Sequence, residues 1–390
     1  MENLPNFTFK NLTSIDQINA EIWNSLGARD YPFLRHDFLS ALENSGSVGG
    51  NSGWQPYHLT VYQHDQLVAV MPLYIKSHSY GEYVFDWAWA EAYQRHNVAY
   101  YPKLLSAIPF TPASGPRLCA VPGIDKTALM LAIVEDIQAQ TENGRFSSWH
   151  LLFPESDEFD DWQQTQLSAR TGCQFHWFNR DYKSFDDFLS TFTSRKRKSI
   201  NRERRRVAEQ DITLQSLSGD QISEKHVRDF FIFYQATYMK RGQQGYLTLE
   251  FFLQLRATMA GQLVLVMAEK DEQPVAAALC LRDSETLYGR YWGCLEEYEC
   301  LHFEACFYQG IEYCIANGIK RFDPGAQGEH KILRGFEPVK TVSLHWIANE
   351  GFREAVDRFL GQEKLGMAQY TEDATAMLPF KKRADGKDRG

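Results

Sequence analysis

Residues 323–334 contain the densest mixture of groups suited to catalysis in the chain. The segment reads DPGAQGEHKILR and follows a predicted buried strand at 319–323. Polar groups that converge after a strand are common in α/β sites. His330 is a candidate base because the ordinary pKa of histidine lies near neutrality. The alternative is a solvated loop that caps the next element. The candidates here are Glu329, His330 and Lys331 for catalysis, and Lys331 or Arg334 for holding a phosphate, an oxyanion or a substrate.

His302 and Glu304 lie at the start of a helix predicted over 301–316. An acid in the first turn of a helix is favoured by the helix dipole whatever its function, so a structural role is the alternative. A glutamate that faces inward among aromatic residues would have a raised pKa and suit a general base. Glu304 is therefore the fourth candidate catalytic residue.

Two aromatic segments supply candidate substrate contacts. Residues 80–101 include five Tyr, one Phe and two Trp, with Asp86 inside an apolar run. A lone buried acid needs a partner, and core packing is the alternative reading of this segment. An arginine in the aromatic strand 287–292 either pairs with a carboxylate or meets an anionic substrate. The candidate substrate-binding residues are Tyr80, Asp86, Trp87, Arg290, Tyr291, Trp292 and Arg334.

A basic segment, 195–206, stands out in an acidic chain. It reads RKRKSINRERRR, with eight basic residues and one acid, whereas the whole chain has 41 basic and 50 acidic residues and a net charge of −9. We interpret the segment as a helix, and a helix of this charge either pairs with acidic residues of the protein or binds phosphates. The pattern contains no groove-reading motif, so base readout is not implied. The candidate phosphate-binding residues are Arg195, Lys198, Arg202 and Arg206.

The elements that must position these residues form a repeated pattern. Two hairpins, 59–73 and 265–279, share a polar turn and a Val-Ala pair at an offset of 207 residues. Third aromatic strands are predicted at 82–87 and 287–292. Apolar spacing predicts helices at 125–140, 226–239, 248–259 and 301–316, and strands at 149–153, 173–178, 319–323 and 342–347. Each half is therefore a mixed α/β module with an antiparallel meander, a helix and a returning strand.

Composition excludes several classes of protein. At 390 residues, with 44% hydrophobic and 23% charged residues, the chain resembles an ordinary globular protein of two to three domains. Apolar runs are far shorter than the roughly 20 residues of a membrane span. The first residues lack the features of a signal peptide, so we expect a cytoplasmic protein. Seven cysteines without repeated metal-type spacing are expected to be free and mostly buried, and no metal site is expected.

These blocks together resemble the Fem-type acyltransferases, most closely the FemAB-like family of peptidoglycan biosynthesis/recognition proteins. The segments that carry the resemblance are 73–90, 100–118, 195–207, 287–318 and 322–339. The resemblance implies an α/β fold of two tandem GNAT-like domains, each a mixed, largely antiparallel sheet flanked by helices. The expected boundaries are 1–180 for the first domain, 181–380 for the second and 381–390 for a flexible tail.

The resemblance also implies transfer of an aminoacyl or other acyl group to an amine, with a peptidoglycan precursor as a candidate acceptor. The donor would be a co-substrate, aminoacyl-tRNA or acyl-CoA, with no tightly bound cofactor and with tRNA contacts through phosphates. The GNAT pyrophosphate loop is replaced by a segment with Glu296, Glu297 and Glu299, which would repel a pyrophosphate. The alternatives are an acyl-CoA-dependent transferase with a divergent loop and a non-catalytic recognition module. The oligomeric state does not follow from the sequence.

Overall fold

The computed structural model describes residues 7–26, 30–240, 242–326 and 328–381. The chain divides into two compact units, each assembled from several stretches of sequence. Unit 1 comprises Met1–Gly172, Tyr246–Thr258 and Lys340–Ala368, and unit 2 comprises Cys173–Gly245, Met259–Val339 and Gln369–Gly390. The predicted boundary at 180 and 181 stays a prediction. The predicted tail lies outside the described residues except for Lys381.

The described strands fall in chain order into fifteen segments. They are β1 Phe7–Leu12, β2 Trp54–Pro56, β3 His58–Gln63, β4 Gln66–Met71, β5 Tyr74–Lys76, β6 Lys103–Ser106, β7 Cys119–Ala120, β8 Ser148–Leu152, β9 Ser168–Phe178, β10 Ile212–Ser218, β11 Leu263–Lys270, β12 Gln273–Arg282, β13 Thr286–Cys294, β14 Arg321–Asp323 and β15 Glu337–Ile347.

The described α-helices number twelve. They are α1 Ala20–Ser25, α2 His36–Asn44, α3 Trp87–Arg95, α4 Lys126–Glu142, α5 Ser156–Trp162, α6 Phe185–Ser190, α7 Ser194–Ala208, α8 Glu224–Met239, α9 Leu249–Met259, α10 Leu301–Phe303, α11 Gln309–Asn317 and α12 Glu350–Ala376. A π-helical turn, Glu304–Tyr308, joins α10 to α11. None of the described helices has the length and apolar character needed to cross a membrane.

Unit 1 contains a four-stranded sheet in the order β1-β3-β4-β7 and a second group of strands in the order β15-β8-β6-β5-β2. Helix α4 shows why the sequence folds as it does. The Asp125 carboxylate caps it by accepting the Ala128 N–H at 3.0 Å. Leu129, Ile133 and Ile137, spaced four residues apart, are fully buried in the core with strands β3, β4 and β8. The helix ends at Glu142, and Asn143 is its C-cap.

Unit 2 carries the strands β10-β11-β12-β13-β14-β9 in that order. The first four are antiparallel, and β13 and β14 run parallel because the helical segment 301–317 connects them. The core beneath them is strongly aromatic. Its buried members include Phe175, Trp177, Phe188, Phe192, Phe307, Phe322 and Phe336.

The two predicted hairpins are confirmed, and they agree in detail. The register of β3 and β4 shifts by one residue after Val61, and that of β11 and β12 shifts after Ala268, at the same offset of 207. Both turns consist of two residues with positive φ, His64-Asp65 and Asp271-Glu272. Shared bulges and turns at one offset indicate that the units are copies of one module.

One predicted strand is wrong. Residues 82–86 form no strand, and helix α3 begins at Trp87. Asp86 and Glu82 are both buried while Phe85 is 54% exposed, which is the reverse of what the apolar pattern suggested. The strand that pairs with β4 is instead the short β7, through Ala69 with Ala120 and Val70 with Cys119. The long helix α12 is an element that the sequence patterns did not predict.

Candidate functional site

A cavity of about 210 Å³ lies in unit 2 where two parallel strands separate. Strands β13 and β14 pair over three residues, Thr286–Tyr288 with Arg321–Asp323, and then diverge. The cavity is lined by the next residues of both chain segments, by residues 278–280 of β12 and by side chains of the two helical segments that follow β13 and β14. These residues are Ala278, Leu279, Cys280, Gly289, Arg290, Tyr291, Trp292, His302, Cys306, Phe307, Pro324, Gly325, Ala326, His330 and Lys331.

Arg290 is placed by an irregularity in β13. Leu279 pairs with Tyr291 whereas Cys280 pairs with Gly289, so Arg290 is the extra residue of a bulge. Its guanidinium donates to the Asp323 carboxylate, with Nη2 to Oδ2 at 2.5 Å, and both side chains are almost fully buried. Of the two roles open to this arginine, pairing with a carboxylate is the one present in the structure.

Asp323 ties the strand end to the loop that follows. Besides Arg290, its Oδ1 accepts the backbone N–H of Gly325 at 2.9 Å, and His176 Nε2 lies 3.7 Å away. Burial raises the pKa of the Asp323 carboxyl, but Arg290, His176 and these hydrogen bonds more than offset it, so the pKa is well below its usual range. Asp323 is therefore a carboxylate that fixes Arg290 and Gly325, and the sequence reading did not include it among the site residues. Its signal was an acidic residue at the end of a predicted buried strand.

Lys331 is buried in the same cavity, and its Nζ donates to the Gly325 carbonyl at 2.6 Å. Burial lowers the pKa of Lys331 to about 8, although Asp323 acts in the opposite direction. The ammonium group is thus largely charged at neutral pH, is held by a neutral carbonyl and can donate further hydrogen bonds into the cavity. Such an ammonium group is suited to donating a hydrogen bond to a ligand oxygen.

His330 lies at the mouth of the cavity. Its ring is packed among aromatic rings, with centroids 5.5 Å from Phe307, 5.6 Å from Phe303 and 6.0 Å from His302. Partial burial lowers the pKa of His330, and the positive charges of Arg334 and Lys331 lower it further. The imidazole is consequently neutral at neutral pH and able to accept a proton.

The two cysteines that line the cavity are not nucleophiles. Burial raises the pKa of Cys280 to about 12 and that of Cys306 well above its usual value. Both remain protonated thiols at neutral pH, and the thiolate is the reactive form. All seven cysteines are free, as expected from the sequence.

The structure places the remaining candidates of unit 2 outside the cavity lining. Glu304 is buried and receives two hydrogen bonds from Arg204, at 2.9 and 3.1 Å. Arg334 donates to Glu203 at 2.8 Å and lies over the Phe303 ring. Glu329 is exposed and accepts a hydrogen bond from Tyr370 at 3.0 Å. Glu304 and Arg334 thus hold α7 to the body of unit 2 rather than facing a ligand.

The basic helix α7 has two different faces. Arg204 and Glu203 point inward to the partners just described, and Ile200 and Val207 are buried. The four predicted phosphate-binding residues lie on the exposed face: Arg195, Lys198, Arg202 and Arg206. Arg206 lies near Glu209 and Glu299, at 3.8 and 3.9 Å. The inward face of α7 therefore pairs with acidic residues of unit 2, whereas phosphate binding by its exposed face stays a prediction.

The candidates of unit 1 separate into one buried and two exposed residues. Asp86 Oδ2 is 2.5 Å from Lys103 Nζ and accepts the Tyr100 hydroxyl at 2.6 Å. Tyr80 and Trp87 are 55% and 42% exposed, and their rings contact each other edge to face. The expected partner of the lone acid exists, but it is the buried Lys103, which the sequence reading had not singled out.

Several known structures align with most of this chain. A crystal structure of FemX aligns over 87% of this chain and 98% of that chain, with a TM-score of 0.51 and 11% identity. A structure described as the C-terminal domain of a lysylphosphatidylglycerol synthetase from Agrobacterium fabrum aligns over 94% and 98%, with a TM-score of 0.52 and 9% identity. A tandem GNAT protein from the clavulanic acid biosynthesis pathway aligns over 88% and 99%, with a TM-score of 0.45 and 8% identity.

At these identities the likeness shows the fold alone. Together with the repeated meander, helix and returning strand, it defines a protein of two tandem GNAT-like domains, which confirms the predicted fold class. The model of the FemAB-like family, described as peptidoglycan biosynthesis/recognition, matches residues 14–382. The chain belongs to this family. None of the curated proteins matches the sequence significantly.

Proposed function

We propose that this protein is a Fem-type N-acyltransferase whose chemistry takes place in the cavity between β13 and β14 of unit 2. The observation that carries the proposal is the position of Lys331. A buried ammonium group, held by a backbone carbonyl beside a divergent strand pair, is suited to binding an oxygen that gains negative charge. Membership of a peptidoglycan biosynthesis/recognition family makes a peptidoglycan precursor the favoured acceptor.

The transfer can be written with this chain's own residues. The acceptor amine attacks the acyl carbonyl carbon, the new C–N bond forms, and the carbonyl oxygen becomes an oxyanion that Lys331 stabilises. His330 takes the proton that the amine releases. Collapse of the intermediate breaks the bond to the donor oxygen, and the proton passes from His330 to that leaving group. Arg290 and Asp323 fix the cavity wall and the Gly325 carbonyl that holds Lys331.

The acidic segment after β13 favours a donor other than acyl-CoA. Glu296, Glu297 and Glu299 are exposed directly before the helical segment 301–317. The residue at its N-cap, Cys300, has a positive φ of 65° and no side-chain capping hydrogen bond. Carboxylates at this point oppose a pyrophosphate, whereas the cations on the exposed face of α7 suit a phosphate-rich donor such as aminoacyl-tRNA.

The test is a transfer assay with defined donors and acceptors. The protein is incubated with UDP-muramyl pentapeptide and either a mixture of aminoacyl-tRNAs or a set of acyl-CoA esters, and the acceptor is followed by mass spectrometry. We expect an increase of one aminoacyl residue with aminoacyl-tRNA and no change with acyl-CoA.

Two other outcomes identify the alternatives. Acylation from CoA esters would replace the proposed donor with the conventional one. Thermal stabilisation by the muramyl peptide without any transfer would indicate a recognition module. A ligand at a concentration of 100 times its dissociation constant stabilises the folded protein by about 2.7 kcal/mol, which a melting experiment detects readily.

A further inference from the structure

The repeat allows the open cavity of unit 2 to be located in unit 1. Ala69 of β4 and Ala276 of β12 are equivalent at the hairpin offset of 207. Ala69 pairs with Ala120, and Ala276 pairs with Cys294, so Ala120 corresponds to Cys294, a difference of 174 positions. The same difference relates the two helix ends, Gly144 and Gly318, which both have positive φ.

This equivalence identifies the counterparts of the cavity wall. Arg117 and Leu118 in unit 1 correspond to Tyr291 and Trp292, which line the cavity in unit 2. In unit 1, Gly115 pairs in parallel with Pro154, just beyond the end of the returning strand β8. In unit 2, Tyr288 of β13 pairs in parallel with Asp323 of the returning strand β14. The segment that follows the returning strand carries Lys331 in unit 2 and forms helix α5 in unit 1.

In unit 1, a carboxylate of α5 binds the counterparts of the cavity wall of unit 2. Glu158 Oε2 accepts the backbone N–H of Arg117 at 2.7 Å, and its Oε1 accepts that of Leu118 at 3.0 Å. The Trp162 indole N–H donates to the same Oε1 at 3.0 Å. Burial raises the pKa of Glu158, although these three donors and Arg117 act against the rise.

The Arg117 side chain adds a buried positive charge that acts on this carboxylate. It is fully buried, and its guanidinium donates to four backbone carbonyls: Ala113 at 2.7 Å, Leu152 at 2.8 Å, Gly115 at 2.9 Å and Pro116 at 3.0 Å. Unit 1 therefore supplies its own anion and its own cation at a place where unit 2 has a cavity of about 210 Å³.

We propose that Glu158 is a built-in ligand of unit 1. Its carboxylate fills a carboxylate-binding site made by the backbone N–H groups of Arg117 and Leu118 and the indole of Trp162. This site becomes available to small carboxylates such as formate and acetate when the side chain is shortened. Under the proposed function, which this point extends, the acyl donor binds in unit 2 and unit 1 is a closed copy of the cleft.

The test is chemical rescue of Glu158→Ala, measured by thermal unfolding of the full chain. The variant leaves three donors without their acceptor, and we expect its melting temperature to fall by roughly 4–10 °C. Sodium formate or acetate should then raise it with saturation, beyond the effect of sodium chloride at equal ionic strength. Wild type and Asp157→Ala, which removes an exposed acid of the same helix, should show no such difference.

Equal responses of Glu158→Ala and wild type to formate and chloride would overturn the proposal. If Glu158→Ala does not fold, Glu158→Gln replaces it. The glutamine amide keeps the shape of the side chain but turns a donor toward one of the N–H groups. The melting temperature of Glu158→Gln should therefore fall more than that of Asp157→Asn. Equal melting temperatures of these two variants would overturn the proposal. The measurement involves no acyl transfer, so its failure and a failure of the proposed function are distinguishable.

Discussion

Lys103 in unit 1 and Lys331 in unit 2 are both buried lysines, and their surroundings differ in one decisive respect. Lys103 Nζ lies 2.5 Å from Asp86 Oδ2 and 2.8 Å from Glu82 Oε2. Burial lowers the pKa of Lys103, but the two carboxylates raise it to a net value above the usual one. The direct partner of Lys331 is a neutral carbonyl, and its pKa is lowered to about 8.

The difference separates a charge that is compensated inside the protein from the charge on which the proposed function depends. The ammonium of Lys103 belongs to a closed network that continues through Tyr100 and His150 to His345, all of them buried. Because the two carboxylates already compensate the charge of Lys103, a ligand would add no further compensation. The ammonium of Lys331 borders a cavity, and a ligand oxygen can supply the charge compensation that the protein does not.

The largest effect is expected from breaking the network of unit 1. Lys103→Met leaves the carboxylates of Asp86 and Glu82 buried without their shared cation, and loss of one partner of a buried ion pair costs about 3–5 kcal/mol. We expect such a loss in the free energy of unfolding, measured with denaturant. Adding Asp86→Asn and Glu82→Gln should restore part of it. A loss below about 1 kcal/mol would contradict a structural role for this lysine.

The matching change in unit 2 should affect activity instead of stability. Lys331→Met removes a buried ammonium that has no carboxylate at hydrogen-bond distance, so the melting temperature should stay the same or rise. Transfer should fall by roughly 10²–10³-fold in kcat, the typical cost of one oxyanion donor. Lys320→Met, which removes an exposed lysine of the same unit, is the control. Activity within about threefold of wild type would place the oxyanion site elsewhere.

The pH dependence of transfer sharpens the comparison. The folded pKa of Lys331 is about 8, so its cation is present below that pH and is lost above it, and kcat/KM should fall above about pH 8. Lys331→Arg should move this fall to higher pH, since arginine stays charged. On the acid side, kcat/KM should fall as His330 is protonated, below its ordinary pKa of about 6.5.

The acid side has its own control. His330→Ala should lower the rate by about 10²-fold or more and remove the decline at low pH, because no imidazole is left to be protonated. An unchanged acid limb in this variant would show that another group is the base.

The smallest effect is expected from the exposed face of α7. Arg202→Glu combined with Arg206→Glu should weaken binding of a phosphate-rich donor by about tenfold and reduce its salt dependence, with little change in melting temperature. The paired change Lys225→Glu and Arg228→Glu on α8 reverses the same number of exposed charges in unit 2. Equal weakening by both pairs would mean that net charge matters and that α7 is not a binding surface.

The sequence by itself determined the features that depend on local order. Apolar runs separated by a polar turn predicted the hairpins, apolar spacing predicted α4, and the density of arginine and lysine predicted α7. The segment 323–334 was identified because glycine, proline and several titratable residues follow one strand. All of these signals lie within a few residues of one another, so no tertiary contact is needed to read them.

The tertiary structure decided which charges are compensated. Glu304 has the local sequence surroundings expected of a general base, but it is paired with Arg204, one hundred positions earlier in the chain. Asp86 looked like a lone acid in the sequence, but in the fold it is paired with Lys103. Glu158 likewise binds backbone groups about forty residues away. A buried charge is stable only beside its partner, and partners distant in sequence are brought together by folding. For that reason the charges that are compensated within the protein could be told apart from those that border the cavity only in the fold.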